Sequence, residues 1–305
     1  MIESFSMNES LELALTQPPL SSSHQRDAKA HRLTAAPAFA ITSGKGGVGK
    51  TNVVANLAGA LILRRKRVMV IDADLGLANL DLFLGVKPKH TLADFFTGVA
   101  SLEEIITVNR QGILLLPGAS GVQEITALRH DQKLALLTEL DALTHEMDLV
   151  LVDTGSGISD TVTYFTTAAQ EIVVVVTPEP TSLTDAYALV KVLTSTHHEK
   201  RFRILANNVC SEAEARRLFD TLSRTALRFL NASLDLLGWI PRDPLLARAV
   251  ARARMVVGDA PDAPSAQAFQ SIADRLLESV AAGVKIKGNL QFFFQRVLEA
   301  GRAER

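Results

Sequence analysis

From Phe39 onward the chain alternates short, continuously apolar runs with longer segments of helical period. The runs cover residues 39–42, 68–71, 113–116, 149–152, 172–177, 203–206 and 234–240. Each is about as long as a strand, and unbroken apolarity is what burial on both faces requires. Segments such as 50–63, 132–144 and 184–196 fill the intervals with helix-length pattern. This alternation predicts right-handed crossovers and an α/β fold, a mainly parallel sheet flanked by helices on both faces. No internal repeat is visible.

The ends read differently. Residues 1–36 are rich in Ser, Gln, His and Ala, with a Pro18-Pro19 pair, and predict a mobile extension. A single domain is expected over 37–283, followed by a tail over 284–305. In that tail Leu290, Phe293, Phe294, Val297 and Leu298 recur at helical spacing opposite Gln291, Gln295, Arg296 and Glu299. Two readings of this amphipathic helix stand open: reversible contact with a membrane surface, or packing on the domain itself.

Composition narrows the class. The 305 residues are 47% hydrophobic, enough for one large core or two modest ones. The net charge of -1 argues against bulk nucleic-acid binding, and no sequence-specific contact to nucleic acid is expected. The one cysteine, Cys210, excludes an intramolecular disulfide and is expected to be a small buried residue. No apolar run reaches the ~18 residues of a membrane span, and the N-terminus lacks a basic-then-apolar signal pattern. A cytoplasmic location is expected.

Candidate chemistry begins at Gly44-Lys45-Gly46-Gly47-Val48-Gly49-Lys50-Thr51, which satisfies G-x-x-x-x-G-K-[ST] between an apolar run and a helical segment. Glycines let successive backbone N–H groups turn inward around phosphate oxygens, and the following helix adds its positive end. Lys50 is expected to neutralise the β- and γ-phosphates, and Thr51 to ligand Mg²⁺. After the second run stand Asp72 and Asp74, at a strand end where ligands collect in such sheets. Capping a turn is the alternative use of this pair. The run 149–152 ends in Asp153, an acid placed to hold Mg²⁺ through water. Thr154-Gly155-Ser156-Gly157 follows as a flexible turn.

Lys45 is not needed for ordinary phosphate binding. With it, the stretch 43–51 resembles the deviant Walker A sequence of the MinD/ParA ATPases. The resemblance covers roughly residues 37–300. It is nearest to the flagellar number regulators called FlhG or FleN, through the stretches 49–58, 72–81, 179–189 and 202–207 and the tail 288–294.

The resemblance implies a homodimer formed on Mg-ATP, in which Lys45 crosses to the partner's phosphates. It implies that Asp74 positions the attacking water and that Asp72 supports Mg²⁺. Asn207 would read adenine, Pro241-Arg242-Asp243 would close the base pocket, and Glu179 would approach the partner's ribose. MinD-like proteins usually carry proline in the turn after the Walker B strand, where this chain has Gly155 and Ser156. The activity implied is slow, regulatory ATP hydrolysis. The partners implied are a sigma-54-dependent activator of the FleQ or FlrA type, the GTPase FlhF, and the inner membrane surface or cell pole.

The rival reading is a partition or cell-division positioning ATPase that binds DNA or membrane as an ATP dimer. Its basic run would be Arg64-Arg65-Lys66-Arg67, which suits a helix C-terminus better. A cluster carrier needs a pair of bridging cysteines per subunit, which one cysteine cannot provide.

Overall fold

The computed structural model describes residues 36–74, 80–90, 94, 95, 97–118, 139 and 146–282. The expected N-terminal extension, the C-terminal amphipathic helix and nearly all of the helix expected over 132–144 lie outside these residues.

Eight strands form one sheet: β1 (Ala38–Ser43), β2 (Val68–Ala73), β3 (Thr107–Val108), β4 (Leu114–Leu116), β5 (Leu149–Ser156), β6 (Glu171–Val176), β7 (Arg201–Val209) and β8 (Ser233–Pro241). Their order is β3-β4-β2-β5-β1-β6-β7-β8. All neighbours pair in parallel except β3, which runs antiparallel to β4. Each long apolar run became a strand. The two-residue β3 had no such signal, since Thr107 and Val108 are only half-buried at the sheet edge.

Alternate residues of each strand serve opposite faces. Phe39, Ile41, Val68, Val70, Val173 and Val175 enter a core shared with α1 (Lys50–Leu63) and α9 (Pro264–Ala281). Ala38, Ala40, Met69, Ile71, Val150 and Val152 face the other side, where Phe165 of α4 (Asp160–Ala168) covers them. On that same side Ile172, Val174, Phe202 and Ile204 pack under α5 (Pro180–Ser195) and α6 (Glu212–Phe229). The short helices α2 (Leu80–Leu84), α3 (Leu102–Ile105), α7 (Pro244–Ala251) and α8 (Val256–Asp259) complete the layers.

Helix α1 is buried from Asn52 through Leu61, because the sheet and two other helices surround it. Two residues of the basic run that follows it are engaged within the fold. Arg64 donates to Ala60 O at 3.0 Å and to Gln270 O at 2.7 Å, and pairs with Asp274. Arg67 lies 3.6 Å from Glu146.

Cys210 departs from expectation. It is exposed, because the β7–β8 ladder ends at Val209 and Cys210 begins the loop into α6. Its backbone N–H donates to Glu214 at 2.6 Å.

Candidate functional site

The carboxyl ends of β1, β2 and β5 meet at the middle of the sheet, where a doubly wound fold leaves its ligand crevice. From β1 the chain turns through Gly44–Gly49 into α1. Gly49 sits at φ +92° as the N-cap residue of α1, with no side chain over the helix end. The first-turn N–H groups therefore face the loop, as anion binding requires. Gly44 lies so close to α5 that a Cβ would fall 2.1 Å from the backbone carbonyl of Asp185.

Lys50 is buried and reaches back across the loop, donating to Ser43 Oγ at 3.0 Å. The Ser43 hydroxyl in turn donates to Lys45 O at 2.7 Å. Burial lowers the Lys50 ammonium, while Asp153 and Asp74 oppose that shift and favour its charge.

Three carboxylates stand beside it. Asp72 and Asp153 are direct cross-strand neighbours on β2 and β5. The Asp74 N–H donates to Asp72 at 3.2 Å, so Asp72 does brace a turn. A Cβ on Gly155 would lie 3.7 Å from Asp74 Oδ1, which sets that carboxylate against the turn after β5. Burial pushes Asp153 up to about 7, reinforced by Asp72 and Asp74 and opposed by the Thr51 hydroxyl and Lys50. Asp72 rises to about 6, again chiefly by burial, with Asp74 and Asp81 repelling its charge.

These groups fit a hard cation. Asp153 Oδ1 is buried without a hydrogen-bond partner, and Thr51, Asp72 and Asp153 offer only oxygen donors. Among the described residues no three acidic or sulfur- and nitrogen-bearing side chains form a self-sufficient metal cage. Magnesium would draw its remaining ligands from phosphates and water, its usual habit.

Lys45 lies outside this cradle. Its ammonium pairs with Glu179 and donates to Thr181 Oγ1 at 2.9 Å, at the first turn of α5. Glu179 is the N-cap residue of α5 but makes no side-chain cap bond, so its carboxylate serves Lys45 instead. Ser182 reaches back, its hydroxyl accepting from Thr177 N at 3.0 Å.

On the base side, Asn207 is buried at the end of β7 and donates to Val48 O at 2.8 Å. Arg242 approaches Asn208 Oδ1 at 3.4 Å, which brings the Pro241-Arg242 segment beside it. Asp243 is committed elsewhere. It caps α7 through Leu245 N at 2.8 Å and accepts from Ser265 Oγ at 2.7 Å. Those bonds hold its carboxyl below the usual range against the effect of burial. Trp239, across the ladder from Ala206, is half-buried in the core beneath α5 and α6.

The structure thus gathers Lys50, Thr51, Asp72, Asp74 and Asp153 at one point, sets Lys45 and Glu179 together on the rim, and places Asn207 under the loop. Neither the contact of Ser43 with Lys50 nor that of Thr181 with Lys45 is marked by local pattern. Ser43 carries no signal beyond its place at the strand end, and Thr181 was indistinguishable from capping material.

Comparison with known proteins agrees with this geometry. Residues 35–277 match the ParA family model, described as the NUBPL iron-transfer P-loop NTPase. The chain is 42% identical over 261 residues to the antiactivator FleN of Pseudomonas aeruginosa, covering 86% of this chain and 93% of that protein. It is 38% identical to the flagellum site-determining protein YlxH of Helicobacter pylori, covering 86% and 89%. Among solved structures, MinD of Pyrococcus horikoshii complexed with Mg-ADP superposes with a TM-score of 0.62 at 28% identity, covering 83% and 99%. The MinC:MinD complex of Aquifex aeolicus gives 0.63 at 28%, covering 80% and 96%. The chain therefore belongs to the ParA/MinD family of P-loop NTPases and is an ATPase of that family.

Proposed function

We propose that this ATPase is a nucleotide-timed regulator of flagellar number or placement, active as a homodimer on Mg-ATP. The observation that carries the dimer reading is Lys45. It sits on the rim, exposed enough to move, and its bonds run to α5 and not into its own phosphate cradle. A lysine so placed can serve a triphosphate held by a second copy.

In this reading residues 37–283 are the ATPase unit, Gly44–Thr51 bind the phosphates, and Lys50 neutralises the β- and γ-oxygens. Magnesium would supply charge neutralisation at the same oxygens, held by Thr51 with Asp72 and Asp153 in support. Asp74 orients the attacking water. Asn207 with Pro241-Arg242 receives the adenine, Asp243 fixing that loop, and Glu179 exchanges Lys45 for the partner's ribose. Hydrolysis ends the dimer and so sets how long a partner is held.

The regulatory target would be a sigma-54-dependent activator of the FleQ or FlrA type, with the GTPase FlhF as a second partner. The similarity to an antiactivator and to a flagellum site-determining protein supports this branch. DNA partition has less support, since Arg64 and Arg67 of the basic run are engaged within the fold. Iron transfer, named for the family model, would need a cysteine pair that the chain lacks. No helix among the described residues is long and apolar enough to cross a membrane. The expected setting is the cytoplasm; for residues 284–305, outside the described residues, contact with the inner membrane and packing on the domain both stay open.

The test is reconstitution. The Asp74→Ala protein, held in Mg-ATP, should sediment as a dimer and co-elute with a purified sigma-54-dependent flagellar activator. A dimer that ignores the activator and instead retains DNA in a salt-sensitive way would favour the partition reading.

A further inference from the structure

The link between Asn207 and Val48 reaches beyond base recognition. Asn207 lies at the end of β7, 159 residues from Val48 in sequence, and is buried. Its amide orientation is fixed by chemistry. Val48 O can only accept, so the atom 2.8 Å away is Nδ2. Asn208 N–H can only donate, so the atom 2.9 Å from it is Oδ1. Arg242 holds the loop from the other side, through its N–H to Val209 O at 2.7 Å and its guanidinium near Asn208.

Val48 O belongs to the peptide plane whose other end is the Gly49 N–H. In a trans peptide the C=O and N–H point in opposite directions. A bond that turns the Val48 carbonyl out toward Asn207 therefore turns the Gly49 N–H to the other side. The plane needs such a restraint, because Gly49 at φ +92° can rotate where another residue could not. The contact is also close. A Cβ on Gly49 would stand 2.7 Å from Asn207 Nδ2, so only glycine admits the amide here.

We infer that Asn207 is a positioning residue for the phosphate loop: by bonding Val48 O it holds the Gly49 N–H inward toward the phosphates. The second Nδ2 hydrogen and the second Oδ1 lone pair remain for a base, so the two tasks are compatible. The base-side loop and the phosphate loop then act as one unit.

This inference rests on the nucleotide site proposed above. Competition against a fluorescent ATP analogue, with Mg²⁺ present, separates the two tasks. The competitors are ATP and inorganic tripolyphosphate, which has no base. Asn207→Ala and Asn207→Ser both remove the bond to Val48, the serine hydroxyl being too short to reach it but leaving a polar group in the site. Melting curves establish that both variants are folded at the assay temperature.

The expected result is that tripolyphosphate affinity falls about three- to tenfold in both variants, the range of one lost hydrogen bond. Unchanged tripolyphosphate affinity beside weakened ATP affinity would make Asn207 a base reader only. Unchanged affinity for both ligands, or no competition by tripolyphosphate against the wild type, would also overturn the inference. A wild type that binds neither ligand nor the analogue would instead remove the nucleotide-site reading itself.

Discussion

The Lys45 ammonium is paired with the Glu179 carboxylate of the same chain, joining the phosphate-loop rim to the first turn of α5. Both side chains are substantially exposed, 33% and 61%, so solvent screens the pair and it contributes at most about 1 kcal/mol. That is strong enough to park the lysine and weak enough to release it. Glu179→Gln should leave folding almost untouched and lower the ATP concentration for half-maximal dimerisation by up to about fivefold. Lys45→Ala should bind ATP yet stay monomeric in sedimentation runs. Normal dimerisation of Lys45→Ala would contradict the role given to this residue.

Lys50 and Asp74 divide binding from turnover. Lys50 is buried against the loop and balanced by Asp153 and Asp74. Lys50→Ala should reduce nucleotide affinity below detection by calorimetry. Asp74→Ala should keep dimerisation and lose hydrolysis by on the order of 100-fold, the usual weight of a general base or water-orienting group. Phosphate release near the wild-type rate would move that task to another residue.

The acid pair on β2 and β5 predicts an unusual pH response. Asp72 at about 6 and Asp153 at about 7 both lie above the ordinary carboxylate value. A raised folded-state value means that the fold prefers the protonated acid. These two groups therefore destabilise the nucleotide-free protein as pH rises from about 4 to about 7, by on the order of a few kcal/mol, with no further change above. Asp243 and Asp274, held below the usual range, act only in more acidic solution. Magnesium reverses the preference, because the ion needs the acids deprotonated. Melting temperature without nucleotide should fall between pH 5 and pH 7.5, and the gain on adding Mg-ATP should grow over the same interval. A gain that shrinks with rising pH would contradict the Mg²⁺ role of these acids.

Gly44 is confined by backbone and not by a movable side chain. A methyl group there would meet the Asp185 carbonyl at 2.1 Å, whereas one on Gly46 would lie 3.4 Å from Ser156 Oγ. Gly44→Ala should destabilise the protein by roughly 3 kcal/mol or more, since neither α5 nor the loop can yield locally. Gly46→Ala should cost less than about 1 kcal/mol. Chemical denaturation of the two variants makes the comparison, and equal losses would show that the loop is softer than its packing implies.

Much of the fold was legible because burial on both faces leaves its mark in composition. The continuous apolar runs each became a strand, and helix α1 covers the expected span 50–63. β3 was hidden because two half-buried residues carry no period. Cys210 is exposed although cysteine is usually buried, because the β7–β8 ladder ends one residue before it.

For the site, local order along the chain already specified the phosphate loop, the acids at strand ends and the second lysine, since each depends on neighbours a few residues away. Which groups touch was settled only by the folded arrangement. Lys45 meets Glu179, Asn207 meets Val48, and Gly44 meets Asp185, each more than 130 residues apart in the chain. Such pairs arise where separate strands of one sheet bring their ends to a common edge, and nothing in local sequence encodes that distance.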